Sequence, residues 1–392
     1  MRIFVYVGFS NWWGSYPPDV LEREDAGALG GGEQCALRTA FGLAERGHEV
    51  IYASVAESGV HRGVQFVPNW KAIQIFCADG PWDALVSWSA PDVLRWARDG
   101  EARVLVQQLN DMVIWNRWWE YVDVVAGASE NHMDVLRGLS PVPARDKCLW
   151  TWVPNGVDPT LFPIEAVKPP KDRPLWVGYW SSPDRGLVHL LDAWPAIHRA
   201  VPAARLRVYY KVKGLIDRVL QESFDGTMSL AAAGRTQYIC GILRDQIARC
   251  TPIGLDLCDA VHRKVLARDQ LQCRVLTYPL DPEHYTEGFG QSVPEAMMAG
   301  CLPVVRCVDA FKDLWAPMCW EIQSHPASPA FHDEIVEKTV RGLTEWDGSS
   351  SPSQHDLRVW AMQWPWSRSA EALERAVLTG IDHRQRRELQ VA

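Results

Sequence analysis

The sequence predicts an α/β protein of two Rossmann-like, doubly wound domains, each a mostly parallel sheet with helices on both faces. Three observations carry this. Short apolar strand runs alternate with helical apolar patterns, the signature of a parallel sheet covered by helices. The alternation halts in a proline-rich stretch and then begins again. The 392 residues, at about 150 per domain, favour two domains and allow three.

Each element follows in order. Residues 3–7 are continuously apolar, as in a strand buried on both faces. A loop over residues 11–29 leads to Gly30-Gly31-Gly32-Glu33. Cys35, Leu37, Ala40, Phe41, Leu43 and Ala44 then recur at helical spacing, and Gly47 stands where a C-terminal glycine belongs. Residues 49–52 resume as a strand, completing a βαβ unit. Further strands are expected at 84–86, 104–106 and 122–126. Residues 163–174 hold four prolines and read as a linker. The second series runs strand 175–178, helix 187–200, strand 206–210, strand 275–278, helix 293–299 and strand 302–306. Between 214 and 273 the pattern resolves into no clear elements. Residues 355–378 read as helical and carry Trp360, Trp364 and Trp366. The expected domains are 1–165 and 172–355, with a helix in 356–392 crossing back to the first.

Composition narrows the function classes. The formal net charge is -8, so no global positive field draws the chain to nucleic acid or anionic lipid, although a local patch still could. None of the ten cysteines forms a C-x-x-C pair or a zinc-ligand cluster. Reduced, mostly buried thiols in a cytoplasmic protein are the expectation. The N-terminus reads as a first strand rather than a signal peptide. No apolar run approaches the ~18 residues of a membrane span. Arg384, Arg386 and Arg387 read as a solvated tail.

The segment Glu287-Gly-Phe-Gly-Gln-Ser-Val-Pro-Glu295 is the most informative. It is a glycine-rich loop entering a helix, where backbone N–H groups and the helix dipole suit anionic oxygens. Gly288 and Gly290 allow close backbone approach, and carboxylates at Glu287 and Glu295 accept hydrogen bonds from sugar hydroxyls. A structural alternative stands beside this: Ser292 and Glu295 fit a capping box, with Pro294 early in the helix.

This segment resembles the signature of retaining GT-B glycosyltransferases of the family 4 type, in which two glutamates are separated by seven residues. The resemblance implies two Rossmann-like domains facing a central cleft. It implies that Glu287 contacts donor sugar hydroxyls, that Glu295 holds the nucleotide ribose, and that the backbone of Gly288, Phe289, Gly290 and Gln291 faces the sugar and diphosphate. Four further segments agree in order. Gly30-Gly31-Gly32-Glu33 resembles the family's N-terminal glycine loop near diphosphate and acceptor, placing Gly31 and Gly32 beside the donor; the alternative is a loop that needs positive φ. Val153-Pro154-Asn155-Gly156-Val157-Asp158 resembles the turn before the linker, with a structural role. Ser181-Ser182-Pro183-Asp184-Arg185-Gly186-Leu187 looks like a subgroup's phosphate loop, with Ser182 and Arg185 on the diphosphate; an Arg185–Asp184 surface pair is the alternative. Tyr179 stands where relatives carry Arg, and Lys211 or Lys213, after the next strand, is expected to compensate. Gln107-Gln108-Leu109-Asn110-Asp111 matches a His-Asp segment with Asn110 in the His position. Asp111 then reads as an acceptor-side carboxylate or as a helix cap.

The resemblance therefore implies metal-independent transfer of a sugar from a nucleotide diphosphate sugar, with retention of configuration and no other cofactor. Glu287, Asp111 and Arg185 are the expected catalytic residues. Asn110, Asp111, Trp12 and Trp13 are expected on the acceptor side. A saccharide or lipid-linked saccharide is the favoured acceptor on family grounds. Trp115, Arg117, Trp118 and Trp119 leave stacking on a modified nucleic-acid base open. The alternative is a non-catalytic sugar-nucleotide or glycan binder that kept the fold. A dehydrogenase or phosphotransferase lacks support, because neither a Walker loop nor a complete G-x-G-x-x-G is present.

Overall fold

The structure, a computed structural model, describes residues 1–8, 14–106, 119–224, 230–281 and 287–391. The chain forms two compact units. The first comprises Met1–Asp158, His284–Gln291 and Trp364–Ala392, the second Pro159–Glu283 and Ser292–Gln363.

The first unit is built on β1 (Arg2–Val7), β2 (Glu49–Ser54), β3 (Gly59–His61), β4 (Val64–Pro68), β5 (Ala84–Trp88), β6 (Ala102–Val106), β7 (Val124–Gly127) and β8 (Leu149–Trp152). Their order is β3-β4-β2-β1-β5-β6-β7-β8. All neighbours are parallel except the β3–β4 hairpin. Its helices include α1 (Gly31–Glu45), α2 (Ala72–Asp79), α3 (Glu130–Leu139) and α4 (Val142–Lys147). The continuous apolar run of β1 serves both faces. Ile3 and Val5 join a core with Leu37, Phe41 and Val86, while Phe4 enters the other core with Phe76, Trp82 and Leu85. Each such fully buried side chain contributes roughly 1.5–3 kcal/mol. Gly47, at φ 86°, donates its N–H to Ala44 and ends α1, which only glycine does without strain.

The second unit holds β9 (Trp176–Tyr179), β10 (Arg205–Val208), β11 (Leu255–Leu257), β12 (Val275–Tyr278), β13 (Leu302–Val305) and β14 (Trp320–Glu321). Their order is β11-β10-β9-β12-β13-β14, all parallel. That is the 3-2-1-4-5-6 order of a Rossmann sheet. Its helices include α5 (Leu187–Ala200), α6 (Val212–Phe224), α7 (Leu230–Cys250), α8 (Arg263–Gln270), α9 (Ser292–Met298), α10 (Ala310–Leu314), α11 (Ala330–Thr344) and α12 (Gln354–Ala361). The stretch that resolved into no elements is thus α6, α7, β11 and α8. Helix α7 carries alanines and two glycines in place of a clear apolar stripe, and β11 is only three residues long.

The helix expected over 355–378 is two helices. Helix α12 ends at Ala361, and α13 (Trp366–Val391) starts after Pro365, whose ring cannot continue a helix. Helix α13 packs on the first unit. A Cβ on Gly42 would lie 2.6 Å from the Ala370 Cβ, so α1 and α13 touch through glycine. Near its end Arg384 binds the buried Asp123 at 2.8 Å. Arg384 is therefore an anchor, not part of a solvated tail. All ten cysteines are free, most of them buried.

Candidate functional site

In open α/β sheets ligands bind beyond the carboxyl ends of the strands, where the strand order reverses. In the second unit that point lies between β9 and β12. Tyr179 closes β9 and is fully buried. Its hydroxyl donates to the Ser182 carbonyl at 2.8 Å, and its ring stands edge-on to Tyr278. The position that holds Arg in relatives of the resembled family is here a loop-holding phenol. Trp180 folds back over Gly178, where a Cβ would fall 1.9 Å from its ring. The Trp180 indole N–H donates to the Ser292 carbonyl, and the Ser292 hydroxyl donates to the Trp180 carbonyl, each at 3.0 Å. The Ser181 and Tyr278 hydroxyls lie 2.7 Å apart. Ser182 donates to the Asp184 carboxylate. Half-buried Arg185 closes the single turn Pro183–Arg185, ahead of Gly186. At φ 114°, a Cβ on Gly186 would meet the Pro279 carbonyl oxygen at 2.3 Å, so this turn lies against the end of β12. Lys211, after β10 and half-buried, accepts the Leu215 N–H through its carbonyl as α6 begins.

Helix α9 begins at Ser292, one residue earlier than a capping box needs. Glu295 is 1% exposed. Its carboxylate is ion-paired with Arg263 and accepts the Gln270 amide at 3.3 Å. At the other end of α9, Arg358 donates to the Met298 carbonyl and Arg173 to the Ala299 carbonyl. Arg173 also donates to the Lys168 and Cys273 carbonyls, and Arg358 to that of Phe162. Burial pulls both guanidinium pKa values down. Two buried cations at the carboxyl end complement the dipole of α9 and fix its position. Nothing in the local sequence marks these arginines, because their partners lie up to 196 residues away.

The loop before α9 belongs to the first unit. Glu287, Gly288, Phe289 and Gly290 are buried. Gly288 lies on the His132 ring, where a Cβ would be 2.6 Å from Nδ1. Phe289 stands edge-on to Trp364, with centroids 5.5 Å apart. Gly290 has φ 76°. The Gln291 amide donates to the Gly156 carbonyl at 2.8 Å. Burial pushes the His132 imidazole down to about 4. Its Nδ1 accepts the Ala128 N–H at 3.0 Å, which puts the proton of the neutral ring on Nε2.

The turn of residues 153–158 packs on α1 and α13 within the first unit. Asn155 accepts the Cys35 thiol at 2.8 Å, and Asp158 pairs with Arg38 at 2.8 Å. Gly156 has no room for a side chain, because the Trp366 backbone would lie 2.7 Å from its Cβ. At the start of α1, none of Gly30, Gly31 or Gly32 has positive φ, so the conformational alternative fails. Among the described residues, a Cβ on Gly31 would meet nothing within 4 Å, and Gly32 is half-buried. Glu33 is 7% exposed, and its carboxylate accepts the Gly30 N–H. Burial raises its pKa to about 7.

Trp12, Trp13, Asn110, Asp111, Trp115, Arg117 and Trp118 lie outside the described residues. Among the described residues, no group of three or more His, Cys, Asp or Glu side chains gathers as metal ligands, and no helix is long and apolar enough to cross a membrane.

No family model and no curated protein matches the chain. Solved structures do match over nearly its whole length. The chain is similar to AviGT4, a glycosyltransferase involved in avilamycin A biosynthesis, with TM-score 0.63 and 13% identity over 97% of this chain and 98% of that one. It is similar to Anabaena HepE in complex with UDP and glucose, with TM-score 0.64 and 13% identity over 97% and 100% of the two chains. A UDP-forming α,α-trehalose-phosphate synthase from Burkholderia xenovorans, in complex with glucose-6-phosphate, gives TM-score 0.67 and 12% identity over 96% and 100%. The fold is accordingly GT-B, two α/β units with parallel Rossmann-like sheets, as the sequence predicts.

Proposed function

We propose that the chain is a retaining, metal-independent glycosyltransferase that moves a sugar from a nucleotide diphosphate sugar to a saccharide or lipid-linked saccharide in the cytoplasm. The observation that carries this reading is the strand-order reversal between β9 and β12, beyond whose carboxyl ends ligands bind in such sheets. There the turn of Ser182, Asp184 and Arg185 abuts the end of β12, and Trp180 is bonded to the start of α9, which bears the buried Glu295. Structures of the same fold include one holding UDP and glucose.

In this reading Arg185, Ser182 and Lys211 bind the diphosphate and Glu295 the ribose. The backbone of Gly288–Gln291 faces the sugar, whose hydroxyls Glu287 accepts. Gly31, with no described residue within 4 Å of where a Cβ would be, and Gly32 offer backbone N–H groups to the same anion. The bond between the sugar's anomeric carbon and the diphosphate oxygen breaks. The acceptor oxygen attacks from the same face, and its proton passes to the leaving diphosphate. Charge growing on that diphosphate is met by Arg185 and by preorganised N–H groups. Asp111 and Asn110, with Trp12 and Trp13, serve the acceptor side, and a modified nucleic-acid base is a less favoured acceptor.

The second reading, a non-catalytic binder, is favoured by two observations: Glu295 is already paired with Arg263, and buried Tyr179 stands where the resemblance expects a cation. A panel of UDP-, GDP- and ADP-sugars, tested without and with divalent metal, separates the two. Release of a nucleoside diphosphate from one donor without metal, reduced at least a hundredfold in Glu287→Gln, is the expected result. Binding of a donor with no release selects the binder.

A further inference from the structure

The loop that carries Glu287 is held by three residues far from it in sequence. His132 at the first turn of α3 lies under Gly288. Gly156 accepts the Gln291 amide at 2.8 Å. Trp364, in the turn before α13, presents its ring to the edge of Phe289 at 78° and 5.5 Å. Trp364 is itself braced. The Arg368 guanidinium lies 4.1 Å over its ring, and Trp152 flanks it at 6.3 Å. Val157 donates its N–H to the Trp364 carbonyl at 2.7 Å, tying the tryptophan backbone to the turn that also receives Gln291.

We propose that Trp364 is a positioning residue for the Glu287 loop: with Arg368 stacked on it, its indole fixes Phe289, and so fixes the backbone that presents Glu287 and the Gly288–Gln291 N–H groups. The physical basis is the rigidity of the parts. A glycine on each side of Phe289 leaves that backbone soft. The one large side chain between them is therefore the natural handle. An edge-to-face aromatic pair stabilises beyond its buried area, and a partly buried guanidinium over an indole adds to it. These gains are small against global stability but decide the population of one loop conformation. A displacement of about 1 Å at a binding carboxylate costs on the order of a hundredfold in rate.

The role of Glu287 rests on the glycosyltransferase reading; the clamp does not. Hydrogen exchange of the backbone amides of residues 288–291 in the unliganded protein tests the clamp, and donor turnover tests its consequence. Trp364→Leu is expected to speed exchange at these amides at least tenfold and to lower kcat about tenfold or more, with the midpoint of thermal unfolding nearly unchanged. Trp364→Phe keeps an aromatic edge and is expected to restore most of both. If Trp364→Leu does not fold, Arg368→Met removes the stacked cation alone and is expected to give a smaller shift in the same direction. Unchanged exchange in both variants overturns the inference, whatever the activity. Faster exchange with full activity in Glu287→Gln keeps the clamp and overturns the glycosyltransferase role of Glu287.

Discussion

The turn that opens α1 in the first unit and the turn that precedes α5 in the second stand at equivalent places, each after the first strand of a Rossmann-like sheet. Glycines stand in or just before both, yet they mean opposite things. Before α5, Gly178 and Gly186 are enforced from inside: a side chain would collide with Trp180 or with the Pro279 carbonyl. Before α1, a Cβ on Gly31 would meet none of the described residues within 4 Å, and its backbone is ordinary helix. A glycine required by packing is explained once its neighbour is known. A glycine with no described neighbour where a side chain would be, at a helix start, leaves its N–H groups accessible, and its role is tested by substitution. The comparison also separates two carboxylates. Glu295 shares its burial with Arg263, whereas buried Glu33 accepts backbone N–H groups, and burial raises its pKa.

The largest expected effect is at Gly186. Gly186→Ala adds strain of about 1–3 kcal/mol at φ 114° and an overlap with the Pro279 carbonyl worth a further 1–3 kcal/mol or so. Denaturant unfolding is expected to show a loss of about 3 kcal/mol; a loss under 1 kcal/mol breaks the claim that this turn is enforced by packing.

Glu33 comes next. Its folded pKa of about 7 lies above the ordinary glutamate value of 4.5, so the folded state holds more protons between those values. Stability contributed by the neutral form is full below about 4.5 and is lost as pH rises towards 7. At 1.36 kcal/mol per unit the loss is at most about 3 kcal/mol. Glu33→Gln, which still accepts from Gly30, is expected to flatten the stability profile between pH 4.5 and 7. An unchanged profile shows that another group carries the slope.

The smallest stability effect is at Gly31. Gly31→Ala is expected to leave stability unchanged or raise it by about 0.5 kcal/mol, since alanine is a better helix former. Donor affinity is expected to fall about tenfold. Unchanged affinity removes Gly31 from the donor site and ends the contrast with Gly186 as a contrast of function.

The strands with continuous apolar runs, the helix of residues 187–200 and the glutamate-bearing loop were legible because periodicity and glycine placement are local properties of a chain. Helix α7 and strand β11 were not, since one lacks an apolar stripe and the other is too short to have a period. The break at Pro365 was visible in sequence, and reading one helix through it overlooked a rule that proline enforces.

The chain by itself determined the alternation of strand and helix, and hence two doubly wound sheets, because side-chain burial on both faces of a strand needs only neighbouring residues. It determined that a glycine-rich loop bearing Glu287 precedes a helix bearing Glu295. Only the tertiary structure decided which glycines are forced and which have no described neighbour. It alone put Arg173 and Arg358 on the carbonyl end of α9, and His132 and Trp364 against Gly288 and Phe289. Those contacts join residues tens to hundreds of positions apart, and distance in space between such residues is set by the fold as a whole and by no pattern within reach of either one.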